Sequence, residues 1–372
     1  MRGKFGAEGI RAIWVTRWDY RSARDIAVIM ENCRRAGFNT VLFQVRGNGT
    51  AFYRSKVEPW ADELGGRDPG FDPLAVACRE AHRRGLAIHA WVNVAPGWRG
   101  KAPPQNRRQL YHARAEWFWR DESGRREPLG WYSNLNLCWP EVRAYLAAVM
   151  HEIVARYPVE GLHMDYIRFP NEWNAAYPAG ARVPDYPRDP RTLGLFRQAS
   201  HRTPDQAPAQ WDAWRTQQVD ETVREISRAV RKARPGVALT VAVGADPAVA
   251  KKKHFQDAPR WMASGWIDGV FPMNYEADLG SFDERLGRWT SGRSRGLVVT
   301  GVMLDKRAPA LIVQQLEHAR RGGRHFCAFA YNALFERLDD SGRPIRDADS
   351  GTRAARREAV FRYMRRIAAP AR

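Results

Sequence analysis

The residues of this chain that could do chemistry stand at the ends of short apolar runs. One run, Val159–Met164, passes directly into His163-Met164-Asp165-Tyr166-Ile167-Arg168. Another, Ile267–Met273, passes into Asn274-Tyr275-Glu276 and on to Asp278. Further run ends carry Trp14 and Trp18; Gln44 and Arg46; His89, Trp91 and Asn93; Asp246; Asp305; and Tyr331. Gathered around one opening, these would be carboxylates set among Trp, Tyr, Asn and Arg. Sugars present apolar ring faces to aromatics and hydroxyls to fixed donors and acceptors. Cleaving a glycosidic bond takes two carboxyl groups, one of them kept protonated. The residue types therefore point to glycoside chemistry.

Each acid also has a plainer reading. Asp165 could pair locally with Arg168, and Glu276 could be a solvated rim carboxylate. Asp246 and Asp305 could cap the helices that follow them. His163 and Asp165 are two apart and share a strand face, but a metal would need a third ligand, for which only His89 offers itself. No metal and no cofactor are expected.

The elements that would position these residues follow a regular rhythm. Apolar runs at Ile10–Thr16, Thr40–Val45, Leu86–Val94, Val159–Met164, Val237–Val243, Ile267–Met273, Leu297–Val302 and Phe326–Ala330 alternate with amphipathic helical patterns. Ser22, Asp72 and Pro140 open three of the helices, Gly37 and Gly85 close two, and a weak helix is expected over about His254–Ala263. Strands alternating with helices imply a parallel sheet with right-handed crossovers. Eight such units predict an α/β fold, a closed (β/α)8 TIM barrel, as one domain over residues 1–372. Two long stretches, from Ala95 to Ser133 and from Asn171 to Ala207, read as loop insertions after strands three and four, on the rim where barrel active sites sit.

Composition narrows the choice. The chain has 372 residues, 44% of them hydrophobic, and 15 Trp, 12 Tyr and 15 Phe spread along its length. Disorder is excluded, and so is a membrane-spanning helix, since no apolar stretch nears about 18 residues. The N-terminus has a positive start without an apolar core. A cytoplasmic protein, or one whose signal segment lies outside this chain, is expected. The net charge of +19 would attract polyanions. The arginines are scattered over helical faces, however, and no nucleic-acid motif is present, so no nucleic-acid partner is expected. Cys33, Cys78, Cys138 and Cys327 form no CxxC pair and read as structural.

Several segments resemble the bacterial glycosyl-hydrolase-like family 10 barrels: GFNTVLFQVRGNGTAFYRS, FDPLAVACREAHRRGLAIHAWVNV, NLNLCWPEVRAYLAAVMHEIVARYPVEGLHMDYIRFP, WIDGVFPMNYEAD and HFCAFAYNALF. The resemblance covers strands two through eight. The family is similar to barrel domains that cleave envelope and biofilm polysaccharides, and its members are usually exported, which implies the cell envelope. The family's strand-four acid falls on Asp165. Many relatives carry a second Asp next to it, where this chain has Tyr166. Strand six is also similar to that of chitinase-type barrels, but their strand-four Glu is absent here.

The resemblance implies a hydrolase of a poly- or oligosaccharide, its substrate neutral or anionic. By likeness to retaining α-galactosidase and amylase barrels, Asp165 is expected as nucleophile and Glu276 as acid/base, with exchange of roles open and Asp246 as the next partner. Trp14, Trp18 and Trp91 are expected to stack sugar rings. Gln44, Arg46, Asn93, His163, Tyr166, Arg168, Asn274, Tyr275, Asp305 and Tyr331 are expected to hold hydroxyls or an acidic group. The competing readings are a non-catalytic glycan-binding barrel and a polyanion-binding protein.

Overall fold

The computed structural model describes residues 9–169, 183–291, 296–339 and 341–368. In chain order the elements begin with β1 (Arg11–Val15), α1 (Ala23–Arg35), β2 (Thr40–Arg46), α2 (Pro73–His82), β3 (Ala87–Asn93), β4 (Pro96–Arg99), α3 (Leu110–Ala113) and β5 (Tyr132–Asn134). They continue with α4 (Pro140–Arg156), β6 (Gly161–Asp165), α5 (Pro190–Ser200), α6 (Pro208–Ala233), β7 (Ala238–Gly244), α7 (Pro247–His254), α8 (Ala258–Ala263) and β8 (Gly269–Asn274). The chain ends with α9 (Leu279–Thr290), β9 (Leu297–Val298), β10 (Thr300–Met303), α10 (Pro309–Gly323), β11 (Phe326–Phe329) and α11 (Ser350–Ala368).

The parallel strands run in the order β10-β11-β1-β2-β3-β6-β7-β8-β9, and a β10–β8 pairing closes the ring. β9 and β10 are two halves of one barrel strand, interrupted at Val299. The result is the eight-stranded (β/α)8 barrel with helices between the strands. Helix starts are well specified. Ser22 and Asp25 form a reciprocal capping box on α1, and Asp72 with Pro73 opens α2.

Burial sorts the strand residues by parity. Ile88, Ala90 and Val92 of β3 pack in the large core between sheet and helices. Trp14, Leu42, Trp91, Phe271 and Cys327 form a separate cluster inside the ring. Successive side chains alternate faces, so His89, Trp91 and Asn93 all point inward, as do His163 and Asp165 of β6. All four cysteines are buried and unpaired.

Three segments differ from expectation. The stretch from Ala95 to Ser133 is not all loop: Pro96–Arg99 pairs antiparallel with Tyr132–Asn134, and α3 lies between them. In the stretch from Asn171 to Ala207, residues 170–182 lie outside the described residues, but Pro190–Ser200 forms α5. Asp189 caps that helix by accepting from the Thr192 N–H, and Pro190 occupies its first turn. Pro190 there starts a helix rather than marking a loop. The weak helix expected over His254–Ala263 is instead two helices, α7 and α8, meeting at Phe255 with φ +55.

Candidate active site

A cavity of about 240 Å³ opens at the C-terminal ends of the barrel strands. Its floor and walls are Trp14, Gln44, Trp91, Asn93, Asp165, Met273 and Tyr275, contributed by five strands and their ends. Its upper edge is Trp18, Trp131, Tyr132, Tyr166 and Arg168.

Asp165 ends β6 and is buried. Its Oδ1 accepts the Tyr166 N–H at 2.7 Å, and Arg168 Nη1 stands 3.6 Å from the same oxygen. Tyr166 lies in the left-handed region at φ +51. For a bulky residue that conformation costs on the order of 1–3 kcal/mol and persists only where the surroundings impose it. Here they do: the Tyr166 ring packs edge-on against Tyr132 at 4.9 Å, and the Arg168 guanidinium lies 4.3 Å from the centroid of the Tyr166 ring.

Beneath the floor, His163 orients Trp14. The indole N–H can only donate, so at 3.3 Å from His163 Nε2 it makes that nitrogen the acceptor. The proton then sits on Nδ1 and is donated to Thr240 Oγ1 at 2.9 Å. Burial holds His163 well below the usual imidazole range, with His89 adding to the effect, so the ring is neutral. His163 thus supports the floor rather than lining the cavity.

The amides of the wall are already committed to protein partners. Gln44 accepts from the Arg17 N–H at 3.1 Å and donates to Asn93 Oδ1 at 3.3 Å. Asn93 donates to Gly47 O and to Tyr132 Oη, both at 3.1 Å. Tyr275 is driven well above its ordinary value, first by burial and then by the charge of Asp165. It is a neutral phenol at any working pH.

Six expected site residues stand elsewhere. Glu276 is not among the residues lining the cavity; Arg285 on α9 captures its Oε1. Asp246 caps α7, accepting from the Ala248 and Val249 N–H groups, and is paired with Arg288. Asp305 is an exposed turn residue. Arg46 is fully buried against Glu58 at 2.8 Å, where it holds the carbonyls of Val94 and Pro96. The strand register shifts between Gln44 and Arg46, so Arg46 departs from the parity that aims Gln44 inward. Asn274 lies one residue off the inward set Phe271, Met273 and Tyr275, and its Nδ2 donates to Phe282 O of α9 at 2.8 Å. Tyr331 turns into the helix layer, where its hydroxyl accepts from Asn32 Nδ2 at 2.8 Å and its ring stacks on Phe335. Among the described residues, Asp165 is therefore the one carboxylate lining the cavity, and its expected partner Glu276 is not among the lining residues.

Trp131 and Tyr132 were not anticipated. Tyr132 starts β5 and Trp131 immediately precedes it, within a stretch that carries no periodic pattern. Only their aromatic character next to Gly130 marked them.

The matching family description, "Glycosyl hydrolase-like 10", spans residues 9–308. The chain belongs to the glycosyl hydrolase-like 10 family. As a family 10 chain it is 28% identical over 273 residues to "Glycosyl hydrolase DigH" of Escherichia coli (strain K12), covering 66% of this chain and 56% of that protein. It is 25% identical over 303 residues to "Glycosyl hydrolase YngK" of Bacillus subtilis (strain 168), covering 72% of this chain and 54% of that one. The chain thus spans about half the length of these curated relatives. Among solved structures, an alpha-L-fucosidase isoenzyme 2 from Paenibacillus thiaminolyticus superposes with TM-score 0.64 at 15% identity, covering 97% of this chain and 49% of that one. A GH42 beta-galactosidase from G. stearothermophilus superposes with TM-score 0.63 at 14% identity, covering 98% and 57%. At such identities these two show the barrel fold that the family 10 chain shares.

Proposed function

We propose that the protein is a glycoside hydrolase acting on an oligo- or polysaccharide, with Asp165 as its reacting carboxylate. The observation that carries this reading is the position of Asp165: at the end of the fourth barrel strand, buried, in an aromatic-walled cavity large enough for a sugar ring. An N–H donor and a guanidinium on one carboxylate oxygen suit an acid that works as an anion, either as nucleophile or as base. Tyr275, fixed as a neutral phenol, supplies a donor beside it. Trp14 and Trp91 offer apolar surface to a ring face. The family membership and the printed names of the two relatives support hydrolysis, while the sugar and linkage are open to assay.

Digestion of a panel of bacterial polysaccharides, with products identified by mass, tests the proposal. Fragments released by the wild type and not by Asp165→Asn support it. No release from any polysaccharide refutes it.

One observation favours a second reading. Among the described residues no second carboxylate lines the cavity, and two-carboxylate hydrolysis requires one. A barrel that binds glycan without cleaving it would show saturable binding, equal in the wild type and Asp165→Asn, and no products.

A further inference from the structure

Three guanidinium groups lie at the cavity lining or against its aromatic residues, and two of them face a carboxylate. Arg17 pairs with Glu63 at 2.8 Å, and Arg168 stands beside Asp165. Arg99, the last residue of β4, is different. Its guanidinium carbon lies 5.1 Å from the ring centroid of Trp18 and 4.7 Å from that of Trp131. Its Nε is buried without a hydrogen-bond partner. Among the described residues, no carboxylate lies within ion-pair distance of it.

The setting is built rather than incidental. β4 is pinned by Arg46, which holds the carbonyl of Pro96, and by Gly97, where a Cβ would fall 2.7 Å from both Leu135 and Phe118. Arg99 is in register with Tyr132 across the hairpin, next to Trp131. Trp18 and Trp131 both line the cavity, and both are exposed, at 38% and 44%. Two indole faces attract a guanidinium through their quadrupoles and restrict its orientation. Arginine also keeps its charge at any working pH. With Nε shut in, the two terminal nitrogens remain to donate. Their fork matches the two oxygens of a carboxylate.

We infer that Arg99, held between Trp18 and Trp131 at the lip of the cavity, selects a glycan unit that bears a carboxylate. The inference rests on the reading of the cavity as a glycan-cleaving site. The general positive charge of the protein attracts any polyanion to its surface. Arg99 would add discrimination at a single sugar unit, because its charge is uncompensated and its position relative to Asp165 is set by the barrel and hairpin.

The test uses paired substrates: a uronate-containing oligosaccharide that the enzyme cleaves, and the same oligosaccharide after chemical reduction of its carboxyl groups to alcohols. The readout is the ratio of kcat/KM for the two. The wild type is expected to favour the carboxylated form at least tenfold, and added salt to shrink that ratio. Arg99→Gln is expected to bring the ratio within about twofold of one. Arg99→Lys, which keeps the charge but not the planar fork, is expected to fall between. A purely structural role would lower both substrates alike and leave the ratio intact, which would overturn the inference. So would a wild type that is indifferent to carboxyl reduction, or one whose Arg99-dependent preference is for a sulfated oligosaccharide instead. These outcomes leave glycoside hydrolysis standing. If neither member of any pair is cleaved or bound, the hydrolase reading itself fails, and this inference with it.

Discussion

Arg168 and Asp165 are three residues apart and face each other across a left-handed turn, with Arg168 Nη1 3.6 Å from Asp165 Oδ1. The residue between them that makes the turn, Tyr166, also donates its N–H to that oxygen. One short segment therefore positions the carboxylate at the cavity and sets positive potential against its Oδ1.

Asp165→Asn is expected to lower turnover by at least about a hundredfold, the range associated with loss of a reacting acid or base, with thermal stability little changed. Glu276→Gln is expected to keep activity within about twofold, since Arg285 holds Glu276 on the rim away from the cavity lining. Paired rate measurements check both. Equal losses in the two variants would restore Glu276 as a partner.

Trp131→Ala should weaken glycan binding by about 1–3 kcal/mol, by analogy with aromatic stacking of other planar ligands. Trp131 is 44% exposed, so the unfolding temperature should hardly move. Titration of the Asp165→Asn background with a bound glycan measures this without turnover. Unchanged affinity would remove Trp131 from the binding surface.

Gly161→Ala tests the packing under the site. A Cβ there would lie 2.4 Å from His89 Nδ1, inside the barrel and in register with His89 on the neighbouring strand. Overpacking of this kind costs about 1–3 kcal/mol. Because Asp165 ends the same strand, activity should fall as well. Denaturant unfolding gives the stability change, and a neutral result would mean that the His89 ring moves aside freely.

Asp19 gives a pH-dependent prediction. Burial pushes its carboxyl up from 3.8 to about 6, against hydrogen bonds from Thr16 and the charge of Arg337 that act to lower it. Between those values the folded state holds a proton that the unfolded state has released. The associated stability is present in acid and lost as pH rises through about 6. Above that, the buried charge costs on the order of 3 kcal/mol. Asp19→Asn should therefore stabilise the protein at pH 7.5 and make little difference at pH 4. His89, pushed down to about 4 by burial, acts in the opposite sense: its contribution is lost as pH falls from 6.5 towards 4. Comparing variant with wild type at each pH cancels it. A gain of the same size at pH 4 and pH 7.5 would contradict the argument.

Much of this architecture could be read directly from the chain, because it depends on local periodicity. Eight apolar runs separated by amphipathic helices leave little besides a parallel ring, and Asp165 at the end of one run must then lie at its mouth. Period-two alternation also places His89, Trp91 and Asn93 on one face, and applied strictly it separates Asn274 from Tyr275. Local pattern has no hold where strand hydrogen bonding stops. Beyond Phe329 the chain enters a helical turn, and Tyr331 swings to Asn32. At the register shift in β2, Arg46 leaves the inward row. The acids after β7 and β8 are claimed by arginines of α9, 42 residues along the chain in one case and nine in the other, a choice made by how that helix packs. Trp131 and Tyr132 reach the cavity only because β5 pairs with β4 and folds the insertion over the mouth. Contacts between segments distant in sequence decide such matters, since the direction of a loop side chain follows from what it packs against rather than from its neighbours in the chain.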